Sequence, residues 1–216
     1  MTEAPRLRIT EIFHSLQGES RTVGLPTTFV RLTGCPLRCV YCDTTYSFQG
    51  GEWLALDDVL ARVRQFPARH VCVTGGEPLA QKACLNLLTR LCDEGYVVSL
   101  ETSGALDICQ VDSRVHRVMD LKGPSSGEQE KNHLPNIACL NAADEVKFVI
   151  AHREDFDWAV AMMAQYQLDA RCDVLFSPSF GLIEPKVLAQ WILDAGLNVR
   201  MQLQLHKLIW GDEKGR

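Results

Sequence analysis

Short apolar segments alternate with helical patterns along most of the chain, and this alternation most constrains its fold. β-Branched and aromatic residues are frequent in the apolar segments, as is typical of strands. The candidate strands are residues 6–13, 27–33, 70–74, 96–102, 114–121, 145–150, 173–177 and 198–205. Apolar residues at helical spacing occupy residues 56–66, 80–94, 153–167 and 184–195. This order predicts an α/β fold with parallel strands and with helices on the outer face.

About six strand–helix units can be counted, too few for a closed eightfold barrel of about 250 residues. The chain has 216 residues, 46% of them apolar, which is enough for one sizeable core. We therefore predict a single domain over residues 1–216, built as a partial (βα)6-type TIM barrel. Residues 122–142 begin with polar turn formers and are predicted to form a long loop, a type of segment that is often functional.

Charge and hydropathy exclude several classes of partner. The net charge is −5 and the basic residues are dispersed, so no surface for nucleic acid or membrane is indicated. The first residues lack the apolar stretch of a secretory signal. No apolar run approaches the roughly 18–20 residues that cross a bilayer. The sequence therefore predicts a cytoplasmic protein that binds neither nucleic acid nor membrane.

Three of the nine cysteines lie close together in the stretch GCPLRCVYC, as Cys35, Cys39 and Cys42. The other six are scattered, and in a reducing cytosol such cysteines are expected to be small buried hydrophobic residues rather than a disulfide framework. These six are Cys72, Cys84, Cys92, Cys109, Cys139 and Cys172.

The clustered cysteines indicate a metal centre, and Gly34 and Pro36 favour a loop around them. Structural zinc takes four protein ligands, and no second CxxC or CxxH pair supplies the fourth. A redox pair would use Cys39 and Cys42 but would leave Cys35 unexplained. An iron–sulfur cluster held by three thiolates leaves one iron open for a small molecule. Of these alternatives, the cluster fits the spacing best.

A second motif, TGGEP at residues 74–78, directly follows the strand pattern HVCV. Gly-Gly and Glu-Pro pairs are typical of an ordinary turn. Paired glycines at the carboxyl end of a parallel strand also let the backbone approach a ligand closely. The motif therefore predicts either a plain turn or part of a ligand site.

Together, CPLRCVYC and the GGEP turn resemble the signature of the radical S-adenosylmethionine superfamily. This resemblance implies a modified radical SAM core, with a 4Fe–4S cluster on Cys35, Cys39 and Cys42. S-Adenosylmethionine (SAM) would bind the open iron and be cleaved to a 5′-deoxyadenosyl radical. Gly75, Gly76 and Glu77 match the motif that holds the ammonium group of SAM in that superfamily.

Four further stretches, SLQGES, FVR, CDT and QLHK, resemble the 7-carboxy-7-deazaguanine synthases in order and spacing over residues 8–211. The resemblance implies a lyase of queuosine and 7-deazapurine biosynthesis. Such an enzyme converts 6-carboxy-5,6,7,8-tetrahydropterin to 7-carboxy-7-deazaguanine with loss of ammonia, after the radical removes hydrogen from C6. It also implies Mg²⁺, a flavodoxin or ferredoxin as electron donor, and a homodimer.

The same resemblance assigns roles to individual residues. The predicted substrate contacts are Leu16, Gln17, Gly18, Arg31, Thr74 and His206. Arg31 presents a planar fork suited to a carboxylate, and Thr44 offers Mg²⁺ a hydroxyl oxygen. On spacing alone, Arg31 fits a surface arginine on an edge strand equally well. Thr44 is then more typical of a turn or cap, and His206 of a structural residue near the end of the last strand.

The resemblance implies contacts with SAM for a second group of residues. It implies no catalytic side chain, because the 5′-deoxyadenosyl radical carries out the chemistry. The group comprises Tyr41, Cys42, Asp43, Gly75, Gly76, Glu77, Glu101, Asp120, Leu121, Lys122, Ser177 and Pro178. The chain departs from the family pattern at two places, where Asp120-Leu121-Lys122 stands for Ser-Pro-Lys and Ser177-Pro178 for Gln-Pro. We leave open which contacts survive there, and whether the tail 210–216 closes over the substrate.

Two other functions remain open at this point. A radical SAM activating enzyme, which makes a glycyl radical on a partner protein, would share the cysteine loop and the glycine turn. It would not need the LQGE, FVR and QLHK stretches together. A non-enzymatic electron carrier usually has four cysteine ligands and needs no nucleoside pocket. A change in the spectrum of the reduced cluster on adding SAM would separate a carrier from an enzyme.

Overall fold

One mixed sheet organises the chain in the computed structural model, which describes residues 5–211, 213 and 215. Within that part, its nine strands lie in the order β3-β1-β2-β4-β5-β6-β7-β8-β9. The strands are β1 (Arg6–Leu16), β2 (Pro26–Leu32), β3 (Glu52–Ala55), β4 (His70–Gly75), β5 (Val97–Thr102), β6 (His116–Asp120), β7 (Glu145–Ile150), β8 (Asp173–Pro178) and β9 (Arg200–Met201). From β2 to β9 neighbouring strands run parallel, whereas β1 is antiparallel to both β2 and β3.

Five helices accompany the sheet in the described residues. They are α1 (Leu56–Val63), α2 (Cys84–Asp93), α3 (Arg153–Tyr166), α4 (Pro185–Asp194) and α5 (Leu205–Trp210). In α1, Leu56, Val59, Leu60 and Val63 recur at helical spacing and are all buried, so one face packs on the sheet. No described helix is long and apolar enough to cross a membrane.

The predicted α/β partial barrel is confirmed, with a largely parallel sheet that does not close. The crossovers β5–β6 and β6–β7 contain no α-helix. The predicted long loop 122–142 lies in the second of these and contains only short 3-10 turns, at Pro124–Ser126, Gln129–Lys131 and Leu134–Cys139. Polar turn formers at the start of this segment explain why it does not form a regular helix.

The last predicted strand, 198–205, is mostly wrong. Only Arg200 and Met201 pair with β8, and the chain then turns into α5, which carries His206. Alternation of polar and apolar residues in VRMQLQL is typical of a strand, but no further strand is present beyond β9 in the described residues to pair with it. The edge strand β3 was not predicted, because its four residues are too short for a periodicity signal.

Two of the scattered cysteines do not behave as predicted. Cys109 is exposed and forms a disulfide with Cys139, across a sequence separation of 30 residues. Their Cα atoms lie 5.4 Å apart, within the range that a disulfide spans. Such a contact depends on the tertiary fold, so the spacing in sequence gave no sign of it. Cys72, Cys84 and Cys172 are buried as predicted, and Cys92 is partly buried.

Candidate active site

A cavity of about 370 Å³ opens at the carboxyl edge of the parallel strands. Its wall includes Arg31 on β2, Thr74 on β4, Glu101 on β5, Asp120 on β6 and Ser177 on β8. Each of these residues lies at or near the end of its strand. This is the edge at which sheets of this kind place their ligands, because the loops that follow the strands meet there.

The cysteine loop lies between β2 and a 3-10 turn at Thr45–Phe48, and Cys35, Cys39 and Cys42 all face the cavity. Burial raises the pKa of each thiol, and the nearby Lys122 ammonium opposes that rise. The backbone N–H of Leu37 donates a hydrogen bond to Cys35 Sγ at 3.4 Å.

These residues fit a cubane cluster on three counts: a shared half-buried cavity wall, a backbone donor to sulfur, and a neighbouring cation that favours thiolates. In the described part of the chain, no three cysteine, histidine or acidic side chains are drawn tightly enough together to mark a metal centre by themselves. The fit therefore rests on the donor set and its surroundings.

The glycine turn after β4 packs directly against the cysteine loop. Gly75 has φ of +152°, which glycine adopts readily. A Cβ atom on Gly76 would lie 2.6 Å from the Cβ of Cys35 and would overlap the backbone oxygen of Gly34. Only glycine therefore lets the turn approach the cysteine loop this closely.

Replacing Gly76 with alanine should displace the cysteine loop, because the overlapping atoms belong to its backbone and cannot rotate away. We expect a loss of about 1–3 kcal/mol in the free energy of unfolding, the usual cost of overpacking. Denaturant titration of the iron-free protein measures it. Gly181→Ala is the control, since its Cβ would meet nothing within 4 Å and only its φ of +77° opposes the change. Gly181→Ala thus measures the cost of a left-handed backbone alone, about 1–2 kcal/mol. Because Gly76 does not have a left-handed φ, a loss well below about 1 kcal/mol in Gly76→Ala would contradict the steric explanation.

Glu77 lies behind the cavity wall rather than in it. It is fully buried, and its carboxylate accepts hydrogen bonds from the Thr102 and Ser103 hydroxyls and from the backbone N–H groups of Ser103 and Leu79. These bonds tie the glycine turn to the end of β5. The side chain therefore supports the turn, and at this point the cavity wall is formed by Gly75 and Gly76.

Arg31 is fixed in an aromatic corner of the cavity. Its Nε donates to Glu11 Oε1 at 2.7 Å, and its guanidinium carbon lies 5.8 Å from the Phe13 ring centre and 5.9 Å from that of Tyr46. Burial by itself lowers the pKa of Arg31, but nearby Tyr46, Glu11 and Glu101 outweigh it and raise the pKa. The guanidinium is therefore a permanent cation at this end of the cavity.

Gln17, Thr74 and Glu101 form a polar group beside Arg31. The amide of Gln17 donates to Glu101 Oε1 at 3.4 Å, and the Thr74 hydroxyl donates to Glu101 Oε2 at 3.3 Å. Burial and the neighbouring Glu19 raise the pKa of Glu101. Glu101, predicted as a contact for SAM, thus lies among the predicted substrate contacts.

His206 joins this group from α5, and its ring packs on Gly18, where a Cβ atom would overlap Nδ1. Burial lowers the pKa of His206, so the imidazole is held in its neutral form near pH 7. Position 18 therefore requires glycine for the packing of His206, apart from any role in the turn.

A chain of buried charges crosses the floor of the cavity. Lys147 on β7 forms ion pairs with Glu19 at 2.7 Å and Asp120 at 3.5 Å, and Asp120 pairs with Lys122 at 2.9 Å. Burial alone would raise the pKa of Asp120, but Lys122 and Lys147 outweigh it and lower the pKa. One oxygen of Asp120, Oδ1, is buried without a hydrogen-bond partner among the described residues.

Asp43 and Thr44 lie at the mouth of the cavity. The Thr44 hydroxyl donates to Asp43 Oδ1 at 2.7 Å, and the Gln204 amide bridges Asp43 Oδ2 at 3.1 Å and Glu19 Oε1 at 2.9 Å. Burial would raise the pKa of Asp43, but these hydrogen bonds outweigh it and lower the pKa. Hydroxyl and carboxylate oxygens suit Mg²⁺, which keeps several other oxygen ligands.

Most of the residues predicted for the site do line this one cavity. They are Leu16, Gln17, Gly18, Arg31, Cys35, Cys39, Tyr41, Cys42, Asp43, Thr44, Thr74, Gly75, Gly76, Glu101, Asp120, Lys122, Ser177, Pro178 and His206. Leu121 does not, because its side chain packs in the hydrophobic core with 1% exposure. Of the tail, Gly211, Glu213 and Gly215 line the cavity, whereas residues 212, 214 and 216 lie outside the described part.

Sequence reasoning missed Lys147 and Glu19 as site residues. A lysine in the apolar strand EVKFVI is a usable signal, because a buried lysine needs a partner. The aromatic residues Phe13, Tyr46 and Phe48 were also missed. Phe13 lies on β1, and Tyr46 and Phe48 lie on the 3-10 turn at Thr45–Phe48, so only the fold brings the two segments together.

A sequence model of the Radical SAM superfamily matches residues 29–123 of the chain. The match begins in β2, ends after β6, and includes the cysteine loop and the glycine turn. The fold and the site thus define a radical SAM enzyme.

Similar proteins give the finer assignment. The 7-carboxy-7-deazaguanine synthase of Chlorobaculum tepidum is 48% identical over 98% of this chain and 97% of the relative. The 7-carboxy-7-deazaguanine synthase of Koribacter versatilis is 40% identical over 96% of this chain and 98% of the relative. The crystal structure of QueE from Escherichia coli has a TM-score of 0.77 and covers 92% of this chain and 94% of its own, at 23% identity, a likeness of fold. The chain belongs to the 7-carboxy-7-deazaguanine synthase family, which confirms the resemblance seen in the short motifs.

Proposed function

We propose that this protein converts 6-carboxy-5,6,7,8-tetrahydropterin to 7-carboxy-7-deazaguanine, with loss of ammonia. The observation that carries the proposal is the joining of two groups in one cavity. Cys35, Cys39 and Cys42 line one side, and Arg31, held in its aromatic corner, lies in the same cavity. A cluster that only carried electrons would need no arginine fork beside it.

The cofactor half of the cavity uses backbone and charge. Cys35, Cys39 and Cys42 would hold the 4Fe–4S cluster, and SAM bound beside it would supply the 5′-deoxyadenosyl radical for removal of hydrogen from C6. The Gly75–Gly76 backbone would hold the ammonium group of SAM, and Lys122 would face its carboxylate. Ser177 and Pro178, at the end of β8, provide polar backbone groups for the adenosine.

The substrate half holds and orients the pterin. The Arg31 fork would bind the carboxylate through two parallel charge-assisted hydrogen bonds. Gln17, Thr74 and Glu101 present an amide, a hydroxyl and a carboxyl to the polar edge of the ring. The neutral His206 on Gly18 covers the same region. Thr44, with Asp43 beside it, would contribute an oxygen to Mg²⁺.

Three finer features belong to the same proposal. An electron carrier of the flavodoxin or ferredoxin type would reach the cluster near Val40, which is 80% exposed between Cys39 and Tyr41. A homodimer would cover exposed apolar side chains near the C-terminus, namely Phe180, Leu182, Leu208 and Ile209. The enzyme would work in the cytoplasm, where a cluster of this kind is kept reduced.

The test is anaerobic turnover with product analysis. Protein reconstituted with iron and sulfide is reduced and given SAM, Mg²⁺ and the carboxypterin, and 7-carboxy-7-deazaguanine is sought by mass spectrometry. Its appearance supports the proposal. If only 5′-deoxyadenosine and methionine form, the substrate assignment is wrong, and the result favours a radical SAM activating enzyme.

Replacing Arg31 with alanine should weaken substrate binding selectively. Loss of hydrogen bonds to a charged group, about 1.5–3 kcal/mol, predicts a KM for the carboxypterin raised by about 10- to 150-fold. Reductive cleavage of SAM should continue, since Arg31 lies in the substrate half. Arg62→Ala is the control, as Arg62 pairs with Glu52 on the surface. An unchanged KM in the Arg31 variant would contradict the carboxylate clamp.

A further inference from the structure

Glu11 forms a largely buried ion pair with Arg31, and none of the sequence motifs pointed to it. The two residues are directly opposite each other on the antiparallel strands β1 and β2, so their side chains share a face of the sheet. The register shifts between Ile9 and Glu11, which makes Thr10 an extra residue in β1. The Thr10 hydroxyl is hydrogen-bonded to that of Thr33 at 2.7 Å, which anchors the irregularity. Bulges of this kind re-aim side chains next to functional sites.

One oxygen of Glu11 organises the whole corner. Oε1 accepts the Nε–H of Arg31 at 2.7 Å and the hydroxyl of Tyr46 at 2.8 Å. The side chains of Arg31 and Glu11 are only 16% and 22% exposed, so the pair is largely shielded from water. The Tyr46 ring then flanks the guanidinium together with Phe13.

The geometry leaves one edge of the guanidinium for a ligand. Glu11 occupies Nε, and neither Nη1 nor Nη2 has a hydrogen-bond partner within the described part of the chain. An arginine binds a carboxylate bidentately through two parallel N–H groups, and it does so tightly only when the plane of the fork is fixed beforehand. Glu11 fixes that plane from the Nε side.

We infer that Glu11 is a positioning residue that orients Arg31 so that its two terminal nitrogens face the carboxylate of the substrate. This inference rests on the proposed function. Glu11 does not touch the substrate; it acts through Arg31 and Tyr46, as an acceptor of hydrogen bonds. Its negative charge is not what the substrate needs, because that charge repels the incoming carboxylate.

This distinction gives a sharp pair of variants. In Glu11→Gln the amide oxygen still accepts hydrogen bonds from Arg31 and Tyr46. The KM for the carboxypterin should therefore stay within about threefold of the parent's, a change smaller than the loss of one hydrogen bond would cause. In Glu11→Ala the fork is released, and KM should rise by about tenfold, the cost of ordering one or two long side chains on binding. The kcat at saturation should change little in both.

A second readout separates positioning from general damage to the fold. A tetrahydropterin without the 6-carboxyl group, used as a competitive inhibitor, does not engage the fork. Its inhibition constant should be the same in the parent and in Glu11→Ala. Glu52→Ala is the matched control, a glutamate–arginine pair on the surface with side-chain exposures of 61% and 44%; it should leave every constant unchanged.

The outcomes distinguish this inference from the proposed function. If Arg31→Ala raises KM and Glu11→Ala does not, Glu11 has no positioning role. If Glu11→Gln is as impaired as Glu11→Ala, its charge rather than its geometry matters, and the inference is overturned. If Arg31→Ala leaves KM unchanged, Arg31 does not bind the substrate carboxylate, and both that part of the proposed function and the role of Glu11 are wrong.

Discussion

Replacing Cys35, Cys39 or Cys42 with alanine is expected to abolish turnover, because each thiolate would hold one iron of the cluster. With only two cysteines left, two of the four irons would have no protein ligand. Cysteine thiolates are what hold clusters of this type in a protein. We expect iron content after reconstitution to fall to a small fraction of the parent's. Cleavage of SAM should then be undetectable, since no electron reaches the sulfonium.

The measurement is iron and sulfide analysis together with the visible absorption of the reconstituted protein. Cys92→Ala is the matched control, because Cys92 is a partly buried cysteine on α2 and does not line the cavity. It should keep both iron and turnover. Full iron content in any one of the three cavity variants would remove that cysteine from the proposed ligand set. Loss of iron in the control as well would point to a fault in folding.

Much of this site was predictable because its residues are adjacent in sequence. The cysteine loop and the glycine turn are contiguous stretches: cysteine spacing favoured an iron–sulfur cluster, and the resemblance to the radical SAM superfamily implied the role of the glycine turn. They also follow short apolar runs that are recognisable as strands, so the edge of the sheet that carries them could be predicted as well. Arg31 and Thr74, which pair across β2 and β4, were placed correctly at that edge.

What could not be predicted depends on contacts between distant segments. His206 follows a polar–apolar alternation typical of a strand, yet it lies on a helix because the sheet ends at β9 in the described residues. Glu101 was predicted as a contact for SAM, and that contact stays a prediction; its hydrogen bonds with Gln17 and Thr74 come from separate strands and loops and were not predicted. The Cys109–Cys139 disulfide joins two loops without any signal in their spacing. In each case the partner, rather than the residue, decides the role.

Lys147 is the extreme case, and replacing it with methionine should destabilise the protein strongly. Methionine keeps the length of the side chain but leaves Glu19 and Asp120 without their shared cation in a shielded part of the cavity. Removing one partner of a buried ion pair costs about 3–5 kcal/mol, because the remaining charge stays buried. Urea titration at pH 7 measures this loss. Lys131→Met is the control, since Lys131 pairs with Glu128 and is 54% exposed, so its loss should cost less than about 1 kcal/mol.

The pH dependence of that loss identifies its cause. In the parent, the pKa of Asp120 lies below its ordinary value of 3.8, so its ion pairs stabilise the fold above that value and cease to do so as pH falls through the lowered pKa. Without Lys147 the pKa of Asp120 is lowered less, so this carboxyl is protonated at a higher pH, and its protonation removes the cost of burying a charge. The difference in unfolding free energy between parent and Lys147→Met should therefore be largest near pH 7 and shrink on acidification. A loss that stayed constant with pH would mean that lost packing, rather than unpaired charge, destabilises the variant.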